Sequence, residues 1–413
     1  VGALLYVTAD GLLEPLGHSQ VVRVVEGLAR RGWHYELVSL EKEKDLRDES
    51  RVRSLRSQLD AVGVRWQFRP YQERGPRSAA LNEWALLQMT LARLSARPVT
   101  GIHARAYHGG LVGLAARVTR SVPYLFDTRS YWIDERLEER RWFTTPIRLG
   151  VARGVEHQLF AQAAGVVCLT ELQADDVRRG AFGATHDGKV ACITTCADFD
   201  DFQRRPIDAC EAIPSSVREA VRGKKVIGLI GSINQSYLVD ESLRLAREVL
   251  RKAHDTHLLV LSRQGEQYRQ LLAALGVPEE RFTLASAPHD AMPQWLSVID
   301  WGLMLLRDQS PAKRASMPTK LAEFLASGVR PIQFGCNEEV AHWVRATKTG
   351  IVLDDVSSLA LEAAASKVAT AQWEPGLCEA GRALAAPHFA LASGLTKYDL
   401  LLRSVFGGSR SSV

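Results

Sequence analysis

Ser316-Met-Pro-Thr-Lys-Leu-Ala-Glu-Phe-Leu-Ala-Ser-Gly-Val-Arg-Pro-Ile332 reads as a helix running without pause into an apolar strand. Ser316 can cap, Pro318 fits a first turn and Gly328 suits a left-handed stop, so the spacing predicts a helix over 317–327. On such a helix Lys320, Glu323 and Ser327 share one face, while Leu321, Phe324 and Leu325 cover the other. A lysine and a glutamate are thereby set beside a strand edge, which is where open α/β sheets bind ligands.

Outward from that stretch, the second half of the chain repeats one rhythm. It begins at Lys225-Val-Ile-Gly-Leu-Ile-Gly-Ser232, continues through a helix over 239–253, and has strands expected at 256–261, 282–285, 299–305, 329–334 and 350–353. The first half does the same. A strand over 3–8 leads through Asp10-Gly-Leu-Leu-Glu-Pro-Leu-Gly17 to a helical pattern at Val21, Val24, Val25 and Leu28, then to a strand over 34–40. A charged stretch at 41–60 reads as a solvated helix, and short apolar runs recur at 99–103, 122–126, 164–169 and 190–193. Gly11 and Gly17 are too far apart for the dinucleotide fingerprint, which argues against a dehydrogenase. Gly17 can still let an anion approach the amides of the next helix.

With 413 residues, 46% of them apolar, the chain can build two large cores. Composition changes at 203–224, around Pro206 and Pro214. We therefore expect an N-terminal domain over 1–205, a linker over 206–224, a C-terminal domain over 225–385 and a final helical segment over 386–413. The 52 basic and 47 acidic residues are interspersed without a long basic block, so no nucleic-acid partner is expected. Six scattered cysteines read as reduced thiols, and without a His/Cys ligand cluster no metal is expected. No apolar run is long enough to span a bilayer, and the opening Val-Gly-Ala-Leu-Leu-Tyr-Val-Thr reads as a buried strand rather than a signal segment. Arg140, Arg141 and Arg148, with Trp142 and Phe143 among them, suit anionic lipid, so a cytoplasmic protein with peripheral contact at the inner membrane face is one expectation.

Four landmarks carry a family resemblance: Gly11 to Gln20 after the first strand, Asp198 with Phe202, Ile230-Gly-Ser232, and Pro318 to Ile332. On these the chain resembles the retaining glycosyltransferases of the two-Rossmann-domain B architecture (GT-B), above all family four. The resemblance implies two Rossmann-like α/β domains facing across a cleft, with acceptor bound by the first and a nucleoside-diphosphate sugar by the second. It implies that the final helical segment crosses back to the first domain. It also implies transfer of a sugar, with retention, to a hydroxyl of a saccharide, lipid-linked sugar or small metabolite, in a setting such as polysaccharide biosynthesis. The nucleotide-sugar is a co-substrate, and no cofactor or metal is implied. A nucleotide-sugar epimerase of the same architecture and a nucleotide-sugar binding protein are the alternatives.

Cleaving a sugar–phosphate bond leaves charge on a diphosphate, which cations and helix-start amides can stabilise. Lys320 would do so, or would pair with Glu323; Lys313, Arg314 and Arg263 are further cations, and Gly231 and Ser232 open the loop beside them. Glu323 would accept from ribose hydroxyls by resemblance, whereas Ala315 stands where relatives carry another glutamate. In the first half, His103 and His108 follow one strand and Asp127 and Arg129 the next, and these four are the catalytic candidates. Capping a helix is the other reading of Asp127, and a buried imidazole that of His103. Asp198 is expected to satisfy the amides of its turn.

Overall fold

The computed structural model describes residues 2–73, 77–138, 145–183, 189–234, 236–307 and 315–407. The chain divides into two units. One comprises Val1–Thr194 and the C-terminal segment from Ala392, with the short stretch Ser310–Ser316; the other comprises Thr195–Gln309 and Met317–Leu391. Residues 206–224 carry a single 3-10 turn, Ile207–Ala209, and a helix, Ser215–Val221, that buries Val217 and Val221.

The first unit is built on β1 (Ala3–Val7), β2 (Tyr35–Lys42), β3 (Arg65–Tyr71), β4 (Val99–Arg105), β5 (Tyr124–Asp127), β6 (Gly165–Cys168) and β7 (Val190–Cys192). Among the described residues they form one sheet in the order β3-β2-β1-β4-β5-β6-β7. All pairings are parallel. Parallel strands are covered on both faces, which is why Leu4, Leu5, Tyr6 and Val7 are all buried although neighbours in a strand point opposite ways. Leu5, Ile102, Ala104 and Phe126 face a core closed by the helices Ser78–Ala96, Ala106–Arg120 and Pro146–Ala161. The C-terminal helix Leu391–Phe406 packs elsewhere on this unit: its Leu395 lies against Gly27, Phe406 against Gly101 and Val405 against Gly165.

In the second unit β8 (Lys225–Ile230), β9 (Thr256–Leu261), β10 (Phe282–Ala285), β11 (Trp301–Met304), β12 (Arg330–Phe334) and β13 (Ile351–Leu353) pair in the order β10-β9-β8-β11-β12-β13, again parallel. This is the doubly wound Rossmann order, and its direction reverses between β8 and β11. Both units are thus the Rossmann-like α/β folds expected. Apolar side chains of β8, β9 and β11 pack with Leu243, Leu245 and Val249 of helix Val239–Lys252 and with Leu361 and Val368 of helix Ser358–Thr370.

Local differences have local causes. The decisive helix runs over Thr319–Ser327 rather than 317–327, because Pro318 holds an extended ψ of 132° and serves as the N-cap. Gly328 ends it with φ 71°, as its lack of a Cβ allows. Strand β3 is absent from the sequence-based expectation. It is an edge strand with exposed Arg65, Gln67 and Arg69, and it contains Pro70, a residue tolerated at edges.

The loop after β1 is held from below. Buried Glu41 accepts hydrogen bonds from the Leu12 and Leu13 amides at 2.9 and 3.2 Å and from Ser39 Oγ at 2.6 Å. Gly17 then sits so close to this loop that a Cβ there would lie 2.0 Å from the Gly11 carbonyl oxygen. Backbone cannot yield as a flexible side chain does, so Gly17→Ala is expected to cost about 1–3 kcal/mol. Urea unfolding checks this, and a variant as stable as the parent would show that the loop relaxes freely.

Candidate functional site

In the second unit the site is assembled where β8 and β11 lie side by side. Gly302 on β11 is the seat: a Cβ there would fall 2.3 Å from the Phe324 ring, so the missing side chain lets Phe324 press helix Thr319–Ser327 onto the strand. Leu321 through Ser327 are all buried, so Glu323 and Ser327 of the face expected to be polar are enclosed, while Lys320 is half-buried. The loop after β8 is pinned to the segment after β11 by Leu238 N donating to Leu305 O at 2.8 Å and Arg307 N to Ser236 O at 2.9 Å. That pinning places the Tyr237 ring beneath the Lys320 ammonium, 3.9 Å from nitrogen to ring centroid, a cation–π contact.

Gly231 is the other wall. Its φ of 120° belongs to glycine, its amide donates to Leu261 O at 2.9 Å, and Tyr268 Oη donates to its carbonyl at 3.2 Å. A Cβ at this position would stand 2.9 Å from Lys320 Nζ, so a side chain would displace the cation. Ser232 is exposed beside it, and Gln264 Oε1 accepts from the next amide, Ile233 N, at 2.7 Å. Arg263 is exposed in the loop after β9. Lys313 and Arg314 lie outside the described residues.

Lys320 does not pair with Glu323. Glu323 is 8% exposed, and its carboxylate has no hydrogen-bond or ion-pair partner among the described residues. Burial pushes its carboxyl up to about 7, with the charge of Lys320 pulling the other way. A buried carboxyl without a hydrogen-bond partner, next to an ammonium and a helix start that has no side-chain cap, can accept from hydroxyls while the ammonium and amides hold an anion.

Strand register builds a second constellation at the carboxyl edge of the first sheet. Tyr6 pairs with His103 and Arg105 with Asp127, so neighbouring strands deliver these side chains to one place. Asp127 is wholly buried. Its Oδ2 accepts from Arg129 Nη2 at 2.5 Å and from Tyr398 Oη of the C-terminal helix at 3.0 Å, and lies 3.5 Å from His103 Nε2. Arg129 adopts φ 64°, unusual for a side chain, and this turns its guanidinium back to Asp127 and Tyr398. Burial alone would raise the Asp127 pKa, but Arg129 above all, with His103 and Arg105, holds it well below the usual carboxylate range. His103 is buried too, bonded to Tyr35 Oη through Nδ1 at 3.3 Å, and burial depresses its pKa against the pull of Asp127. Arg105 reaches outward to Asp10 at 2.7 Å.

The structure thus brings Asp127, Arg129 and His103 together, as it does Gly231, Lys320 and Glu323. His108 is set apart on helix Ala106–Arg120, paired with Glu83. Gly17 serves the backbone contact with Gly11. Asp198 accepts from Asp200 N at 3.1 Å and Asp201 N at 3.4 Å, a turn-holding role. Sequence reasoning overlooked Arg105, though its spacing of two from His103 puts both on one strand face. Tyr398 gave no linear signal, being 271 positions from Asp127.

Residues 17–190 match the family described as Glycosyl transferase 4-like domain. No curated protein sequence matches the chain. Among solved structures, sucrose-phosphate synthase from Thermosynechococcus elongatus superposes with a TM-score of 0.68 at 13% identity, over 99% of this chain and 100% of that one. Anabaena HepE in complex with UDP-glucose gives 0.67 at 15% identity, over 97% and 99%. A UDP-N-acetylglucosamine 2-epimerase gives 0.63 at 11% identity, over 100% and 99%.

Because the folded state binds the Glu323 proton more tightly than the unfolded chain does, the stability this group confers is full below pH 4.5 and is lost as pH rises through about 7. The whole span is worth on the order of 3 kcal/mol. Glu323→Gln is expected to flatten this part of the stability profile and to raise the melting temperature at pH 8; thermal scans from pH 5 to 8 measure both. A parent profile that instead rises over this interval, or one that the substitution leaves unchanged, would contradict the environment described for Glu323.

Proposed function

From a chain that is glycosyl transferase 4-like over residues 17–190 and has the GT-B fold throughout, we propose an enzyme that transfers a glycosyl unit from a nucleoside-diphosphate sugar to a hydroxyl, with retention at the anomeric carbon. One observation carries the reading. The second sheet's reversal point holds an ammonium, a partnerless buried carboxyl and a glycine backbone within one neighbourhood. Lys320, with the amides that begin its helix, takes the diphosphate; Glu323 takes the ribose hydroxyls; Gly231 and Ser232 offer close backbone approach. Arg263 supplies further positive charge, so that the leaving diphosphate is stabilised without a metal. HepE was crystallised with UDP, with UDP and glucose, and with UDP-glucose, which makes uridine diphosphate sugars the first donors to test.

The first unit takes the acceptor: a saccharide, a lipid-linked sugar or a small hydroxylated metabolite. Asp127 is sealed from solvent, so we assign it, with His103 and Arg129, to fixing the acceptor-side loops rather than to proton transfer. No carboxylate is assigned as a nucleophile. The leaving phosphate itself accepts the acceptor's proton on the same face of the sugar. A second reading is a nucleotide-sugar epimerase, favoured by the fold shared with the 2-epimerase. Incubation with donor alone separates the two, since an epimerised sugar nucleotide formed without acceptor would replace the transferase reading.

Lys320→Ala is expected to raise the donor KM about tenfold or more by removing a charge-assisted bond. Steady-state kinetics on a folded variant test it, and an unchanged donor KM would remove Lys320 from the site. Asp127→Asn is expected to leave donor affinity intact while lowering kcat/KM for acceptor about tenfold. A variant with native acceptor kinetics would confine Asp127 to folding.

A further inference from the structure

Eleven large apolar side chains are exposed among the described residues, and seven of them stand on three neighbouring helices of the first unit. Leu81 and Trp84 belong to Ser78–Ala96, Leu111 and Val118 to Ala106–Arg120, and Ile147, Val151 and Val155 to Pro146–Ala161. The first helix packs on the second and the second on the third, and their inner faces share one core, so the three form a single layer. Ile147 and Val118 are 80% and 72% exposed. The spacing of Ile147, Val151 and Val155 repeats every four residues, a stripe along one side of its helix. Monomeric proteins rarely leave so much clustered apolar surface without a use.

Charge decides what covers it. The acids on the three helices are Glu83, paired with His108, and Glu156, which is buried and bonded to Tyr107 and Arg153. Every exposed Asp, Glu, Lys or Arg on them is an arginine: Arg117, Arg120 and Arg148. A second copy of this chain would set those arginines against their own kind, which disfavours self-association through this face. An anionic bilayer answers both features: its headgroups meet the arginines, while the aliphatic side chains and the Trp84 ring enter the interface.

We propose that this three-helix face docks on anionic lipid surfaces, without crossing the membrane. No helix of the described residues is long and apolar enough to cross one. The inference does not rest on the transferase reading, and vesicle binding tests it without any sugar nucleotide.

The purified full chain is floated with phosphatidylcholine vesicles, alone or with about one third phosphatidylglycerol. Binding is expected only to the anionic vesicles and should weaken as salt is raised. Replacing Arg117, Arg120 and Arg148 by Gln is expected to lower partitioning about fivefold per arginine. The double change Ile147→Asp and Val151→Asp should lower it about tenfold or more, with an unaltered melting curve because both positions are exposed. Leu359→Asp, at a position 79% exposed in the second unit, serves as the control and should bind as the parent does. Failure of the parent to float with anionic vesicles would overturn the proposal, as would equal binding by parent and both sets of variants. A concentration-dependent dimer in sedimentation velocity, abolished by Ile147→Asp in a protein that ignores vesicles, would instead give the face to a second copy.

Discussion

A buried negative charge at the end of β5 organises the first unit. Removing a carboxylate from water costs several kcal/mol unless nearby charges and donors replace the lost hydration. Around Asp127 that replacement comes from Arg129, Tyr398, His103 and Arg105, which are contributed by the loop after β5, the C-terminal helix and β4. The requirement to satisfy one carboxylate therefore holds two strands, one strained loop and the last helix of the chain in a fixed relation. Gly27, Gly101 and Gly165 support the same arrangement sterically by admitting Leu395, Phe406 and Val405 of that helix.

Glu323 shows the opposite treatment of a buried acid. It has no comparable set of partners among the described residues, and burial pushes its carboxyl up toward neutrality, whereas Asp127 is held low. A fold maintains such a group at a cost in stability, and groups of this kind concentrate where ligands bind. The local architecture of the second unit fits that use: Gly302 seats the helix, Gly231 leaves space for the ammonium, and Tyr237 holds Lys320 in place. One carboxylate is compensated by its own chain; the other, on the proposed reading, is completed by the donor.

Much of this was legible from residue order. The alternation of apolar runs with helical patterns gave two parallel-sheet domains, because strands covered on both faces must be continuously apolar and crossovers between them must be long. Strands β9 and β10 lie where their sequence placed them, and Gly328 ends its helix as a residue without a Cβ should. The edge strand β3 escaped notice because an edge is solvated and loses the apolar signal. Lys320 and Glu323 were found from one helical face, yet the burial of Glu323 was not, since it depends on tertiary packing rather than on residue spacing. The partners of Asp127 divide in the same way: Arg105 was recoverable from period-two spacing, whereas Tyr398 meets it only through tertiary packing.

The central claim is that Lys320 and Glu323 together receive the donor. A crystal structure of the full chain with a uridine diphosphate sugar tests it most directly. The account predicts diphosphate oxygens within hydrogen-bond distance of Lys320 Nζ and of the amides beginning helix Thr319–Ser327, and a ribose hydroxyl on the Glu323 carboxylate. A nucleotide bound elsewhere, with Glu323 still unpartnered and Lys320 still resting on Tyr237, would contradict it.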